Sequence, residues 1–281
     1  MVLLADSGST KADWRLIDGQ NKIHHYKTMG FNPYYCDTET ISLELRKELI
    51  PEIPANAVSQ IFFYGAGCSS KGKCEVVRLA LEENFKNAKV EVYHDLLGAA
   101  RALCGRDEGI AAILGTGSNS CYYDGGKIVE NIPALSYILG DEGSGAYMGK
   151  ELIRAYLYKE LPGELSGKFD EKFNLSKEDI LITVYEKPLP NRFLASFSKF
   201  LFQNIKNPYV EQLVYSCFEI FFNRHICKYP KHKDVKMGCA GSVGYFFSEI
   251  LKKVAADKGV VIDKIIKNPV EELTLYHINL K

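Results

Sequence analysis

One short polar segment near the start of the chain combines an acid, a glycine and hydroxyls. DSGSTK joins two predicted strands and contains Asp6, Gly8, Ser9, Thr10 and Lys11. Glycine lets the backbone approach a phosphate, hydroxyl and amide groups donate to its oxygens, and a carboxylate can hold hydrated magnesium. A polar hairpin uses the same residue types, so this segment alone leaves both interpretations open.

A second such loop, GTGSNS, follows the predicted strand IAAIL at the equivalent place in the second half of the chain. It contains Gly115, Thr116, Gly117 and Ser118. Two such loops at equivalent positions could hold the two ends of a triphosphate, because both offer backbone and hydroxyl donors. Coincidence is then a poorer explanation of the first loop.

Two further segments carry small residues at the start of predicted helices. GDEGSGAYMG places Asp141 and Glu142 before a helix, where the helix dipole also favours acids. GCAGS contains Gly238, Ala240 and Gly241 at the end of a strand, as backbone approach to a flat ring requires. Helix packing explains these glycines equally well, so both segments remain ambiguous alone.

The elements around these segments repeat. The strands VLLAD, ADWRLID and KIHHYKT form a predicted meander, followed by alternating strands and helices up to a helix that begins at Asp95. The pattern starts again with GIAAILG and the hairpin SCYYDGGKIVEN, then a long helical region and a last strand, VKMGCAG. The sequence predicts an α/β fold of two domains around a central cleft, residues 1–106 and residues 107–281 with a helical insertion.

Composition agrees with a globular enzyme of two domains. The chain has 281 residues, a length that exceeds the usual size of one hydrophobic core. Its residues are 46% hydrophobic and 25% charged, which is ordinary for a globular enzyme. Lys plus Arg equal Asp plus Glu at 35 each, so no net field favours nucleic acid. We find no signal-peptide pattern at the start and no apolar run that would span a membrane, so we expect a cytoplasmic protein without a membrane partner.

The sulfur and imidazole residues show no metal-site spacing. Eight cysteines lack a CxxC pair and lie mostly in apolar segments, which favours buried thiols. Six histidines are scattered, and the adjacent His24 and His25 must face opposite sides of a strand.

Taken together, DSGSTK, GTGSNS, GDEGSG and GCAGS resemble a known family. In this order and spacing they are similar to the phosphate loops, acidic extension and adenosine loop of the actin-like sugar kinase superfamily. The resemblance is greatest to N-acetylglucosamine kinases, grouped with BadF/BadG/BcrA/BcrD-type ATPases, and covers nearly the whole chain. It implies two ribonuclease H-like domains, ATP and Mg²⁺ as cofactors, and an amino sugar phosphorylated on a primary hydroxyl.

The resemblance also implies residue roles. Asp6, as metal ligand, would handle phosphate and magnesium with Gly8, Ser9, Thr10 and Lys11. Gly115, Thr116, Gly117 and Ser118 would form the opposing phosphate clamp, and Gly238, Ala240 and Gly241 would contact adenosine. Sugar contacts would come from Asn32, Thr116, Asn119 and Asp141.

Asp95, in VEVYHDLLGAA, occupies the place of the family's catalytic base. A primary alcohol is a poor nucleophile, and a carboxylate within reach accepts its proton as the phosphoryl group is transferred. A helix N-cap is the alternative role for this residue, and the two roles are compatible.

Some segments depart from the family pattern. Ser7 and Ser9 stand where many of these kinases have glycine, and PYYCD after Asn32 differs as well. The acceptor therefore stays open among N-acetylglucosamine, glucosamine, N-acetylmuramic acid and N-acetylmannosamine. GCSSKGKC has the spacing of a Walker A loop, but Cys74 replaces the magnesium-binding hydroxyl, so we interpret it as a false match. The resemblance places its Ser69 or Ser70 beside the sugar.

Two other functions remain open at this stage. One is an ATP-driven activator of a radical dehydratase, which needs an iron–sulfur cluster held by exposed cysteines. The other is a binding protein that kept the fold without turnover. Family members are often dimeric, and the helix LVYSCFEIFFNRHICKY suits either an interface or a core.

Overall fold

The computed structural model describes residues 1–8 and 11–278. Its contacts divide the chain into two compact units. The first contains the described residues of Met1–Arg106 together with residues 268–278, and the second contains Asp107–Lys267. The junction at residues 106 and 107 coincides with the predicted one. The C-terminal segment, which the sequence analysis assigned to the second domain, packs instead with the first unit.

The first unit is built on a mixed sheet of five strands in the order β3-β2-β1-β4-β5. β1 pairs antiparallel with β2 and parallel with β4. The strands are β1 Val2–Ser7, β2 Lys11–Ile17, β3 Ile23–Met29, β4 Gln60–Gly65 and β5 Lys89–His94. The helices are α1 Thr38–Glu44, α2 Lys71–Asn84 and α3 Asp95–Cys104, with a π-helical turn at Leu45–Leu49 and 3-10 turns at Ile50–Glu52 and Ala55–Ala57.

β1 is the central strand of this sheet, and its residues are mostly apolar. Its side chains are buried from Val2 to Ala5, as expected for a strand covered on both faces. Trp14, Phe31 and Phe63 are fully buried and form one edge-to-face, one tilted and one stacked pair, with ring centroids 5.9 to 6.5 Å apart. The Trp14 indole N–H donates to Thr28 Oγ1 at 3.0 Å, so its one polar group is satisfied inside the core.

The second unit repeats this topology with the order β10-β9-β6-β7-β8. Its strands are β6 Glu108–Leu114, β7 Ser118–Asp124, β8 Ile128–Glu130, β9 Met237–Ala240 and β10 Ile262–Ile266. In both sheets the first three strands form an antiparallel meander, and the fourth pairs in parallel with the first. The predicted α/β class and internal duplication are confirmed, although the sequence analysis missed β10.

Seven helices form the insertion between β8 and β9. They are α4 Ser136–Leu139, α5 Gly145–Leu157, α6 Gly163–Phe173, α7 Lys177–Tyr185, α8 Pro190–Ser196, α9 Ser198–Gln203 and α10 Pro208–Arg224, and a 3-10 turn follows at Ile226–Lys228. α11 Ser242–Phe246 and α12 Ser248–Asp257 follow β9. α10 buries Val214, Phe218, Phe221 and Phe222, so much of this helix serves the core of its own unit.

The last described helix, α13 Val270–Ile278, completes the first unit. The guanidinium of Arg101 on α3 donates to the Tyr64 hydroxyl at 2.6 Å, and that hydroxyl lies 2.8 Å from His277 Nε2. Burial and the nearby Arg101 charge lower the pKa of His277 to about 4, so the imidazole in this hydrogen bond is neutral. This buried chain of hydrogen bonds joins α13 to β4 and α3.

Two sequence expectations about surfaces can be compared with these units. Cys68, Cys121, Cys217 and Cys239 are buried and the other four cysteines are partly buried, in line with their apolar segments. Across residues 1–8 and 11–278, the helices are all too short or too polar to cross a lipid bilayer.

Candidate active site

Two carboxylates of the first unit lie at the carboxyl ends of parallel strands. Asp6 is the penultimate residue of β1, and Asp95 follows directly after β5 as the first residue of α3. The register aligns Asp6 with Tyr64 and Tyr64 with Tyr93, so the ends of β1, β4 and β5 are level. Ligands of open α/β sheets bind at this edge, where loops and helix starts meet.

The charges at this edge act on one another. Burial raises the pKa of Asp6 to about 7, and the negative charges of Asp95 and Asp13 add to the effect, while Lys11 and Arg15 oppose it. The Lys11 ammonium is held 3.0 Å from Asp13, so its charge is shared. The edge therefore carries more negative charge than its own cations offset.

Such an edge fits a magnesium ion by its donor chemistry. In the described part of the chain, no cluster of three or more acidic, histidine or cysteine side chains could enclose a metal. Magnesium in phosphoryl-transfer sites takes one or two carboxylates and completes its shell with water and phosphate oxygens. Asp6 can supply such a carboxylate, because the acids at this edge, Asp6 included, outnumber the cations. A magnesium ion bound there would neutralise phosphate charge.

Asp95 is not the cap of its own helix. That role belongs to His94, whose Nδ1 accepts from the backbone N–H of Leu96 at 3.1 Å. The same Nδ1 lies 3.0 Å from Asp95 Oδ1, and although burial opposes a charged ring, the Asp95 carboxylate raises the pKa of His94. The Asp95 side chain is 27% exposed, so a reacting hydroxyl has access to it.

The first phosphate loop has a buried anchor. Ser7, one of the residues that depart from the family pattern, is fully buried, and its hydroxyl accepts from the backbone N–H of Phe31 at 2.9 Å. Gly8 N–H donates to the carbonyl of Lys11 at 3.0 Å. Ser9 and Thr10, predicted phosphate ligands, lie outside the described residues. The serine thus gives the loop a link to the segment that carries Asn32.

Asn32 packs against the turn at Gly67, which begins the Walker-like segment GCSSKGKC. Asn32 Oδ1 accepts from Tyr34 N–H at 3.0 Å. A Cβ at Gly67, whose φ is +82°, would lie 2.3 Å from that oxygen, so glycine is required for the close approach. Ser69 Oγ lies 3.2 Å from the Tyr34 hydroxyl, and Lys73 Nζ donates to Pro33 O at 2.6 Å. The structure therefore brings Asn32 and the predicted Ser69 region together.

In the second unit, GTGSNS and GDEGSG interlock. The N–H groups of Gly145 and Ala146, which open α5, donate to the carbonyls of Gly115 and Thr116 at 2.9 and 3.0 Å. Asp141 Oδ1 accepts from the backbone N–H of Ser118 at 3.2 Å. Two segments that are separate in sequence thus form one hydrogen-bonded loop pair.

Asp141 is held in an uncommon conformation. Its φ is +58°, in the left-handed region that non-glycine residues seldom adopt, and burial raises the pKa of its carboxyl against the Ser118 hydrogen bond. A Cβ at Gly117 would lie 2.9 Å from Asp141 Oδ2, so this glycine makes room for the carboxylate. Ser118 Oγ is buried and has no hydrogen-bond partner among the described residues.

The predicted adenosine loop contacts the same loop pair. Gly238 and Ala240 lie in β9, paired with Ala111 and Ile113 of β6. Gly241 has φ +118°, and a Cβ there would lie 2.3 Å from the carbonyl oxygen of Leu114. The loop after β9 therefore runs against the start of GTGSNS.

Asn119 follows on β7 of the same unit. Its Oδ1 accepts from Asn131 Nδ2 at 3.0 Å, which fixes the orientation of the amide. Apart from Gly238, which pairs with Ala111 within the sheet, the predicted second-unit residues lie at or next to the strand ends on one edge of their sheet.

Comparison with solved structures identifies the family. A candidate N-acetylglucosamine kinase from Porphyromonas gingivalis is 41% identical in sequence, with a TM-score of 0.95 over 99% of both chains. The chain belongs to the N-acetylglucosamine kinase family of the actin-like sugar kinases.

More distant solved structures share the fold of this sugar kinase. They include a candidate N-acetylglucosamine kinase from Chromobacterium violaceum (15% identity, TM-score 0.69, 98% of both chains). Another is the ROK hexokinase from Thermus thermophilus (13% identity, TM-score 0.53, 100% of this chain and 99% of that one). A scan against family models and a search of curated proteins return no match.

Several side chains that shape the kinase's predicted site escaped the sequence analysis. His94 caps α3 beside Asp95, and Glu142 is bound by Arg224 and His225 from the end of α10. Glu142 was considered only as a helix-start acid or ligand. Its partners lie 82 and 83 residues further along the chain, so no local pattern connects them.

Proposed function

We propose that the protein is an ATP- and magnesium-dependent kinase that phosphorylates N-acetylglucosamine on a primary hydroxyl. The observation that carries the proposal is the pair of carboxylates at one sheet edge, where burial and then the charge of Asp95 raise the pKa of Asp6 to about 7. A kinase needs two such groups for different tasks, one near the metal and one near the accepting hydroxyl.

Asp95 is the proposed general base. It accepts the proton of the sugar hydroxyl as the γ-phosphoryl group leaves ADP, so the new bond forms between sugar oxygen and phosphorus. Because α3 is capped by His94, the Asp95 carboxylate remains available for this contact. Most of the rate enhancement comes from alignment and charge neutralisation, which Asp6 supports by binding magnesium.

The second unit supplies neutral donors for the nucleotide. The backbone of Gly115, Thr116 and Gly117 is proposed to contact phosphate, and the buried hydroxyl of Ser118 would gain an acceptor in a phosphate oxygen. Gly238, Ala240 and Gly241 offer a side-chain-poor surface to adenine. Gly8, Ser9, Thr10 and Lys11 complete the proposed phosphate contacts from the first unit.

The sugar is proposed to contact Asn32, Thr116, Asn119 and Asp141. Asn32 and Asp141 are only 8% exposed, so their polar groups are held by the fold before substrate arrives. Buried polar groups of this kind reject analogues that lack the matching hydroxyl or amide. The name of the Porphyromonas gingivalis relative supports N-acetylglucosamine among the candidate amino sugars.

A coupled ADP-release assay over a small sugar panel tests the proposal. The panel contains N-acetylglucosamine, glucosamine, N-acetylmannosamine, N-acetylmuramic acid and glucose, each with and without magnesium. We expect the largest kcat/KM for N-acetylglucosamine, and light scattering to give a dimer as expected from the family. Nucleotide binding without turnover of any sugar would favour a binding protein, and bound iron with a brown colour would favour the activator.

A further inference from the structure

Glu142 neighbours the proposed sugar ligand Asp141 and points into the second unit. Its side chain is 4% exposed, and its carboxylate accepts from Arg224 Nη1 at 2.5 Å and from His225 Nε2 at 3.1 Å. Both partners belong to the C-terminal end of α10. No role proposed above uses Arg224 or His225.

The end of α10 is itself fixed against the acidic loop. The His225 ring stacks on Phe221 with centroids 5.2 Å apart and an interplanar angle of 27°. Gly143, with φ +73°, approaches so closely that a Cβ there would lie 2.9 Å from Phe221 Cβ. The loop therefore contacts α10 through both its charge and its backbone.

Asp141 needs such support because its own backbone is strained. A non-glycine residue with φ near +58° persists only where surrounding contacts over-determine it. On one side, the Ser118 N–H donates to its carboxylate, and the missing side chain of Gly117 leaves room for that carboxylate. On the other side, the next residue, Glu142, anchors the chain to α10.

We propose that Arg224 and His225, acting through Glu142, are positioning residues that hold Asp141 for sugar binding and so set sugar affinity. This inference rests on the proposed kinase function and on the sugar-binding role of Asp141. Burial works against the Glu142 charge, but hydrogen bonds from its own backbone, His225 and Arg224 outweigh it and lower the carboxyl pKa. Loss of a partner leaves a buried carboxylate poorly paired, and the loop shifts to reach water.

The test compares sugar kinetics in matched variants. His225→Leu removes the donor, whereas His225→Gln places an N–H near the position of Nε2. We expect His225→Leu to raise the KM for N-acetylglucosamine by about tenfold or more, with kcat and the KM for ATP within about threefold. His225→Gln should restore most of the affinity, which a loss of packing alone would not allow.

Arginine variants provide a control within the same unit. Arg224→Gln should raise the sugar KM about threefold to tenfold. Arg154 is equally exposed, at 61%, but its partner Glu151 is 29% exposed where Glu142 is 4% exposed. Arg154→Gln should therefore leave sugar KM unchanged within error.

A double-mutant cycle identifies the route. If the pair acts through Asp141, then Asp141→Asn with His225→Leu lowers kcat/KM for the sugar no further than Asp141→Asn alone. Additive losses, an unchanged KM in His225→Leu, or equal losses of kcat and kcat/KM would overturn the positioning role. A wild-type protein that releases no ADP with any amino sugar would overturn the proposed function itself, and this inference with it.

Discussion

The two units share one strand order but present different chemistry at corresponding edges. In the first unit the edge carries carboxylates, and burial, with repulsion from Asp95 and Asp13, raises the pKa of Asp6 to about 7. In the second unit the edge is built from glycines and backbone amides around GTGSNS, with Asp141 turned onto Ser118 N–H. One scaffold has thus been used once for charged side chains and once for close backbone approach.

The difference shows which substitutions each edge tolerates. A carboxylate edge depends on a few side-chain oxygens, and an amide of the same size can replace each carboxylate without a change in the backbone. A glycine edge depends on the absence of side chains, so an added methyl group clashes with neighbouring backbone atoms or strains the φ angle. Substitution of an edge residue should therefore lower turnover in the first unit and the free energy of unfolding in the second.

The largest effect is expected from Asp95→Asn. An amide cannot take the hydroxyl proton, so sugar-dependent turnover should fall by about 10²-fold or more. The melting temperature and the affinity for ATP should stay close to wild type, since His94 caps α3. ADP release, thermal unfolding and nucleotide titration check this, and near-normal turnover would remove Asp95 from the role of base.

In the second unit, Gly241→Ala should destabilise the fold by about 2–4 kcal/mol. The new Cβ would lie 2.3 Å from the Leu114 carbonyl oxygen, and φ +118° is strained for any L side chain. Urea unfolding measures the loss. Gly115→Ala is the control, since a Cβ there meets nothing within 4 Å. It should change stability by under about 1 kcal/mol while raising the KM for ATP.

The Asp6 carboxyl makes stability depend on pH. Its pKa is raised from 3.8 to about 7 on folding, so the folded state favours the protonated form and stability falls as pH rises through this window. Because Asp6 is partly exposed, we expect wild type to lose about 2 kcal/mol relative to Asp6→Asn between about pH 4 and about pH 8. Magnesium should recover part of that loss in wild type only, and parallel pH profiles of the two proteins would contradict this account.

The smallest effect concerns the support behind the carboxylate edge. Tyr64→Phe removes the hydroxyl that accepts from Arg101 and contacts His277, and should destabilise the first unit by about 1–2 kcal/mol. Tyr93→Phe is the comparison, since its ring stacks on Tyr64 but its hydroxyl donates to Glu91, whose side chain is 25% exposed. We expect a loss under about 0.5 kcal/mol there, and equal losses in both variants would refute the role of the buried hydroxyl.

Local patterns made much of the fold predictable. Alternating apolar residues, glycine turns and the recurrence of a meander after residue 106 indicated two similar sheets, and the glycine loops indicated where each sheet ends. β10 and α13 were missed although signals were present: Gly259 precedes β10, and Asn268-Pro269 followed by Glu271 and Glu272 is typical of a helix start. The helical period of a sequence shows which face of a helix is apolar, but it does not indicate which of two hydrophobic cores that face will cover.

Candidate site residues can be proposed from the sequence where chemistry depends on residue type, and their roles stay predictions. Asp6, Asp95 and Asp141 have the burial, charge or backbone strain expected of functional acids. The groups that orient them depend on contacts distant in sequence, such as Glu142 with His225. Ser7 shows the same limit, because its departure from glycine was visible but its bond to Phe31 N–H was not.

The return of α13 to the first unit affects the order of events during synthesis. The ribosome releases Asp107–Lys267 as an unbroken stretch, so the second unit can fold while the first still lacks a helix. Until then Phe62, whose ring later stacks 3.9 Å from His277, has no cover from α13, and the Tyr64 hydroxyl lacks one of its partners. The half of the protein that is made first is therefore finished last, and its exposed sheet face is the surface a chaperone would meet on the nascent chain.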